Sequence, residues 1–374
     1  MSYSRINKPK FFIDAGLLAS TKGHASFDNT QYKRLYNLNP WGFSEIDLSG
    51  GTTNIGINFT PEGTNSSEDK FYASAFMHSL NYISIMGFEI PDADPTDNIN
   101  YIQDDLNITI KGIDGSGTTN VNYASDVNVD QSYGIMSANS DTIFPESNFC
   151  LIDFDRIWNA TSRYYSLGLD LNSVSGEDAC LVGSVSVGWS YSPQISPDLG
   201  LTVGYKKSDH KKFKTLSGNT ISKYTTTGKK GWMRGKGMMP FQRSSSGRFV
   251  GSGVKSMTTM DLKKTFSMSF SFIADTKLFP EHINDTQSWK QNAPFLLNNG
   301  SSTTNDNDAK FDGISDDFIS KVWWGTMGGA LPFIFMPNSD EEEFYIVRFV
   351  DDSINFEQVA HGTYNVSFTL EEAW

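Results

Sequence analysis

The sequence predicts an all-β protein made of antiparallel β-sandwich domains, and three observations carry that expectation. Apolar and small polar residues alternate with period two through one short stretch after another. Runs rich in Gly, Ser, Asn and Asp, which favour turns, separate those stretches. The composition agrees, with 32 glycines, 13% aromatic residues and only 20% charged residues in 374. A chain of this length suggests two or three domains at roughly 150 residues each, and it buries a core without needing disulfides or metal. No run approaches the ~18–20 apolar residues of a membrane span. Residues 1–10 have no apolar block behind their basic side chains, so no Sec signal is expected. These features exclude a helical membrane protein, a disulfide miniprotein and a long coiled coil.

In chain order, the first expected strands are short and irregular: Lys10–Ile13, Phe43–Leu48, Thr53–Phe59, Leu106–Ile113, Asn120–Ala124, Asn148–Phe154 and Tyr164–Leu171. Turn-rich segments lie among them at 92–97 and 112–117, and Phe71–Leu80 reads as a short helix. From about 185 the alternation lengthens. Val185, Val187, Trp189 and Tyr191 share one face and Ser184, Ser186, Gly188 and Ser190 the other. Leu199, Leu201, Val203 and Tyr205 repeat the pattern after the turn at Ser196-Pro-Asp-Leu. Phe266, Met268, Phe270 and Phe272 alternate with serines, and Tyr364, Val366, Phe368 and Leu370 close the series. Such strands bury one face and leave a polar one, which solvent or a neighbouring subunit would cover. The change near 185 suggests two domains, 1–185 and 186–374.

One stretch departs from the β rhythm. Ser315 would cap a helix over about 315–325, with Asp316 and Asp317 favoured at its positive N-terminal end. Phe318, Ile319, Val322 and Trp323 form its apolar stripe, and Gly325, Gly328 and Gly329 stop it before a strand from Leu331. Segment 228–253, rich in Gly, Ser, Lys and Met, reads as a long protruding arm, and 298–308 as a polar loop.

Charge is unevenly spread. Residues 206–264 hold 15 Lys and Arg against Asp209 and Asp261, a net +13 inside a chain of −13, which leaves −26 for the rest. A solvated loop would account for the charge alone. A segment docking on the acidic surface of another copy accounts for its segregation too, ahead of nucleic acid, which is disfavoured, or an anionic lipid surface. The candidate interface residues are Lys206, Lys207, Lys211, Lys212, Lys229, Lys230, Trp232, Arg234, Lys236, Arg243 and Arg248. Trp232 is the one aromatic anchor among these.

The search for chemistry is short. No Gly-x-Ser-x-Gly elbow occurs, and Gly235-Lys-Gly237 lacks the phosphate-cradling helix that would follow it. His24, His78, His210, His282 and His361 form no metal-spaced pair, and Cys150 and Cys180 read as buried reduced thiols. Asp92, Asp94 and Asp97 lack the terminal Glu of a calcium loop. Asp104-Asp105 and Asp351-Asp352 are strand neighbours that point to opposite faces, so they read as turn or solvent residues. No catalytic residue, cofactor or metal is expected, and an enzyme is not. Trp41, Trp158 and Trp232 fit either core packing or stacking on sugar rings.

The second half carries a family resemblance. Ser196-Pro-Asp-Leu-Gly-Leu-Thr-Val leads to Thr215-Leu-Ser-Gly and Gly231-Trp232, then to Thr265-Phe-Ser-Met-Ser-Phe-Ser-Phe. Gly328-Gly-Ala-Leu-Pro-Phe-Ile-Phe, Phe344-Tyr-Ile-Val-Arg-Phe, Gln358-Val-Ala and the closing Tyr364–Trp374 come after these. This order over 185–374 resembles tail structural proteins of tailed bacteriophages, the minor tail and distal tail proteins. The resemblance implies a tail-tube-like β domain with a single flanking helix, about 315–325, and a hairpin or arm within 206–264 reaching a neighbour in a ring. It further implies a ring-forming distal tail or tail-hub adaptor, made in the host cytoplasm and located in the virion. Its partners would be itself, in a ring that six copies would suit, and tail tube, hub or fibre proteins. Residues 1–185 exceed what such a domain needs and would form an accessory β-sandwich touching fibres or the host. The alternative is a carbohydrate-binding sandwich that recognises a host surface glycan.

Overall fold

The computed structural model describes residues 6, 8–23, 25, 27, 30–39, 44–59, 80–86, 106–114, 120–127, 149–153, 164–173, 179–198, 202–207, 210–214, 220–224, 233–234, 241–243, 249–251, 262–280, 317–339 and 344–373. The strands between 106 and 127 and between 210 and 251 are described through their backbones. The fold is all-β and its strand pairs are antiparallel. In chain order the first half holds β1 (Lys10–Asp14), β2 (Ser44–Asp47), β3 (Thr52–Asn54), β4 (Ile57–Asn58), β5 (Tyr82–Met86), β6 (Leu106–Asp114), β7 (Asn120–Val127), β8 (Phe149–Asp153), β9 (Tyr164–Ser173) and β10 (Ala179–Val182). Next come β11 (Ser184–Tyr191), β12 (Thr202–Lys207), β13 (His210–Lys214), β14 (Thr220–Tyr224), β15 (Met233–Arg234), β16 (Phe241–Arg243) and β17 (Phe249–Gly251). The chain closes with β18 (Leu262–Ala274), β19 (Phe333–Met336), β20 (Phe344–Phe349), β21 (Asn355–Ala360) and β22 (Thr363–Glu372). The early strands thus stand close to where alternation placed them. The expected helix at 71–80 lies outside the described residues, apart from Leu80, which is buried.

An eleven-stranded sheet organises the molecule, in the order β12-β18-β22-β20-β19-β1-β11-β5-β8, with β15 beside β20 and β21 beside β22. The expected division at 185/186 falls inside β11. That strand pairs with β1 and β5 from the first half, and β1 pairs in turn with β19 from the second. A second sheet, β3-β9-β6-β7 with β4 beside β9, is built from the first half alone.

Register explains the core. Phe11 stands opposite Phe335, Phe335 opposite Tyr345, and Phe266 opposite Leu370, which lines these side chains along one face. The rings meet at centroid distances of 5.3 Å for Phe11–Phe335, 5.3 Å for Phe266–Phe335 and 5.4 Å for Phe349–Phe368. Burying a ring of this size is worth about 1.5–3 kcal/mol. A single π-helical segment, Ile319–Trp324, packs on this face through Phe318, whose ring stacks on Phe368 at 5.5 Å. The expected cap Ser315 lies outside the described residues, and Asp317 does the capping observed, accepting from the Ser320 N–H at 2.7 Å. Gly328 and Gly329, at φ 69° and 86°, end the segment as expected, a backbone conformation that only glycine adopts freely.

Two features go beyond the expectations. A helix the sequence reading did not place, α1 (Ala15–Lys22), follows β1, and a four-residue helix, Asp275–Leu278, follows β18 beside the one at 319–324. Asp14 Oδ1 accepts from the Leu17 N–H at 2.7 Å, and Gly23 closes the helix in the left-handed conformation. The serine face of β11 is also covered by the chain itself. Ser184 donates to the Leu35 carbonyl at 2.9 Å, and the Ser186 and Tyr82 hydroxyls lie 2.8 Å apart. The sheet centre is therefore buried on both faces, with a 3-10 turn at Thr30–Leu35 lying over the serine side.

Candidate functional site

The basic segment begins at the sheet edge. Among the described residues β12 pairs with β18 alone, and the register sets Lys206 opposite Lys263 and Lys207 opposite Leu262. β13 and β14 form a separate two-stranded hairpin with Lys211 opposite Lys223 and Lys212 opposite Ser222. Like charges directly opposite in antiparallel strands cost up to about 1 kcal/mol per pair. Lys211 and Lys223 form such a register pair within the hairpin.

The remaining predicted interface residues divide. Arg234 lies in β15 opposite Phe344 of β20, and Arg243 lies in β16 opposite Phe249 of β17. Lys229, Lys230, Trp232, Lys236 and Arg248 lie outside the described residues, as do Trp41 and Trp158. Within the expected arm 228–253, β15 is paired with β20. Tyr345 has Phe335 on one side and Met233 on the other, so this segment covers backbone groups that β20 would otherwise leave open.

The roots of the segment converge on a buried polar cluster that sequence reasoning missed. Lys264, the last cation of the basic run, is only 5% exposed. Its ammonium donates to the Tyr345 hydroxyl and lies 4.5 Å from the centre of that ring and 5.5 Å from Phe266. Its backbone N–H donates to Glu372 Oε2 at 2.5 Å, and Glu372 is fully buried. Lys264 opposes Tyr205 of β12, and Tyr345 opposes Met233 of β15. The point where the basic segment leaves the sheet and a point where it returns are thus tied to one lysine. The signal was present in the sequence, since 264, 266, 268 and 270 share a strand face.

An acidic strip lies two strands in from β12, where β21 borders β22. Asp351, Asp352 and Glu357 are exposed along β21 and the turn before it, and Asp275 is exposed at the other end, where its N–H donates to the Gly362 carbonyl at 3.0 Å. No Lys or Arg occurs from Val350 to Trp374. Beside the strip, Arg348 forms a 3.0 Å ion pair with Glu371.

Elsewhere the polar interior is structural in character. Burial pushes the Asp14 carboxyl up to about 7, against the lowering effect of the Leu17 N–H, the Ser186 hydroxyl and the amides of Gly16 and Val187. The same burial raises Tyr36 and Tyr82 well above the ordinary phenol range, with the Asp14 charge adding to it. Tyr36 donates to the Ile55 carbonyl at 2.7 Å. Cys180 is a buried free thiol pushed up to about 12 by desolvation. Among the described residues no three His, Cys, Asp or Glu side chains gather as a metal site, and no helix is long and apolar enough to cross a membrane. Comparison with protein-family models, curated proteins and solved structures finds no match in any of the three.

Proposed function

We propose that this chain is a structural assembly subunit of a bacteriophage tail, a ring-forming distal tail or tail-hub adaptor. Its copies pack side by side through the basic segment. One observation carries the assembly reading: the register of the hairpin sets Lys211 against Lys223, while an acidic strip lies beyond β22 of the main sheet. Repulsion built into a two-stranded hairpin is relieved when an anionic surface stands over it. The segment's roots at Lys264 and Tyr345 hold it at one place on the body, which a repeating contact between copies requires. The assignment to a phage tail rests on the resemblance of 185–374, and the contact with tail tube, hub or fibre proteins comes from it.

Sedimentation velocity across a salt series tests the assembly. The chain is expected to associate at about 50 mM salt and to dissociate as the Debye length falls toward ~3 Å at 1 M. Reversing Lys211, Lys212 and Lys223 to Glu should abolish association with the melting temperature kept. Charge reversal is a cleaner test than removing 228–253, because that deletion also strips β15 from the edge of β20. A chain that stays monomeric at every salt concentration refutes the reading. Imaging of virions at subunit resolution tests the location.

A further inference from the structure

We infer that the receiving surface for the basic hairpin is the strip around Phe272, and that its occupant is β13–β14 of a second copy. This inference rests on the assembly reading above and assigns it a site. Alternation expects Phe272 on the core face with Phe266, Met268 and Phe270. Instead the pairing of β18 with β22 shifts register between Phe270 and Ile273, and Phe272 is turned out to 74% exposure. Its φ is +62°, a strained conformation rare for a bulky residue. The Asn365 Oδ1 accepts from the Phe272 N–H at 3.1 Å and holds the bulge in place. Strain and an exposed ring therefore occur together, and a partner covering the ring would offset both.

What surrounds the ring defines the partner. Asn365 is opposite Glu357 on its other side, so Phe272, Asn365 and Glu357 stand in a row across β18, β22 and β21. Asp275 lies at one end of β21 and Asp351 and Asp352 at the other. An exposed ring thus stands on strands whose edge and ends carry Glu357, Asp275, Asp351 and Asp352, with Lys277 two residues beyond Asp275, and it fits a surface that is apolar at its centre and cationic beside it. In the hairpin, Phe213 is opposite Ile221 and Lys211 opposite Lys223, and the two pairs are two residues apart and so share a face. That face carries two apolar residues next to two lysines. Within one chain the hairpin's root and the strip stand apart: β12, which precedes the hairpin, borders β18 on the side away from β22, whereas β21 borders β22 on the side away from β18. Contacts between two different surfaces of identical copies close into rings or run on as filaments.

Phe272→Gly removes the ring and relaxes the backbone, so its melting temperature should equal or exceed that of the native chain while association weakens tenfold or more in sedimentation equilibrium. Glu357→Lys with Asp275→Lys should weaken it similarly, and adding Lys211→Glu and Lys223→Glu in the same chain should restore it. If Phe272→Gly proves less stable, the charge exchange decides alone. Native-like association of both strip variants overturns the inference. When that occurs while hairpin reversal still abolishes association, the assembly reading stands without this site. A native chain that is monomeric at all salt concentrations removes both.

Discussion

Asp14 shows how one buried side chain sets a pH dependence. Its free carboxylate oxygen, Oδ2, has no hydrogen-bond partner, and burial holds the proton on up to about 7 against 3.8 in the ordinary state. Because the folded state binds the proton more tightly, it is favoured at low pH. That contribution is complete below about 3.8 and is lost as pH rises through 7, at no more than ~1.4 kcal/mol per pH unit. Urea unfolding from pH 5 to 8 should show stability falling, and Asp14→Asn should flatten this part of the profile while raising stability at pH 8. At the same scale, Trp189 donates its indole N–H to the Lys321 carbonyl at 2.8 Å in the interior. Trp189→Phe should cost about 1–3 kcal/mol in denaturant unfolding, because a buried carbonyl loses its partner. The sequence identified Trp189 as a core residue by strand parity. Its tie to Lys321, 132 positions away, was not readable, because only folding brings β11 to that helix.

At the scale of elements, the sequence located the described strands of the first half apart from β5 and β10, since strand patterning is a local property. Alternation failed at Phe272, where one inserted residue in a bulge inverts the parity of the residues after it, and a bulge has no strict sequence signature. The helix α1 was missed for a related reason. Ala15–Lys22 lies against β11 with little polar face to betray a period of 3.6, although Asp14 and Gly23 mark its ends. Gly188 shows how tightly β1 and β11 meet. A Cβ there would fall 1.8 Å from the Ile13 carbonyl oxygen. Gly188→Ala should therefore cost more than about 3 kcal/mol, at or beyond the usual range for overpacking, and yield little soluble protein or a sharply lowered melting temperature.

Over the whole molecule, hydrogen bonding joins the two halves more closely than composition suggests. β11 lies between β1 and β5, so residues 186–374 alone would expose both edges of a buried strand. That fragment should aggregate or lack a near-ultraviolet dichroism signal, and co-expressing 1–185 should restore soluble material. The root of the basic segment and the acidic strip lie on opposite sides of the β18–β22 pair, at β12 and β21, while β15 brings the segment back to β20. Tertiary structure also changed its content: Lys264 belongs to the basic run by sequence and to the core by position.

By itself the sequence determined the class of the fold, the places of most strands and the separation of positive from negative charge, because periodicity and composition are properties of neighbouring residues. Only the tertiary structure decided that β1 and β19 flank one another across more than 300 residues, that lysines face lysines, and that Phe272 is turned outward. Those outcomes depend on which strands pair and in what register, and pairing is settled by the joint burial of distant segments, which no local pattern encodes.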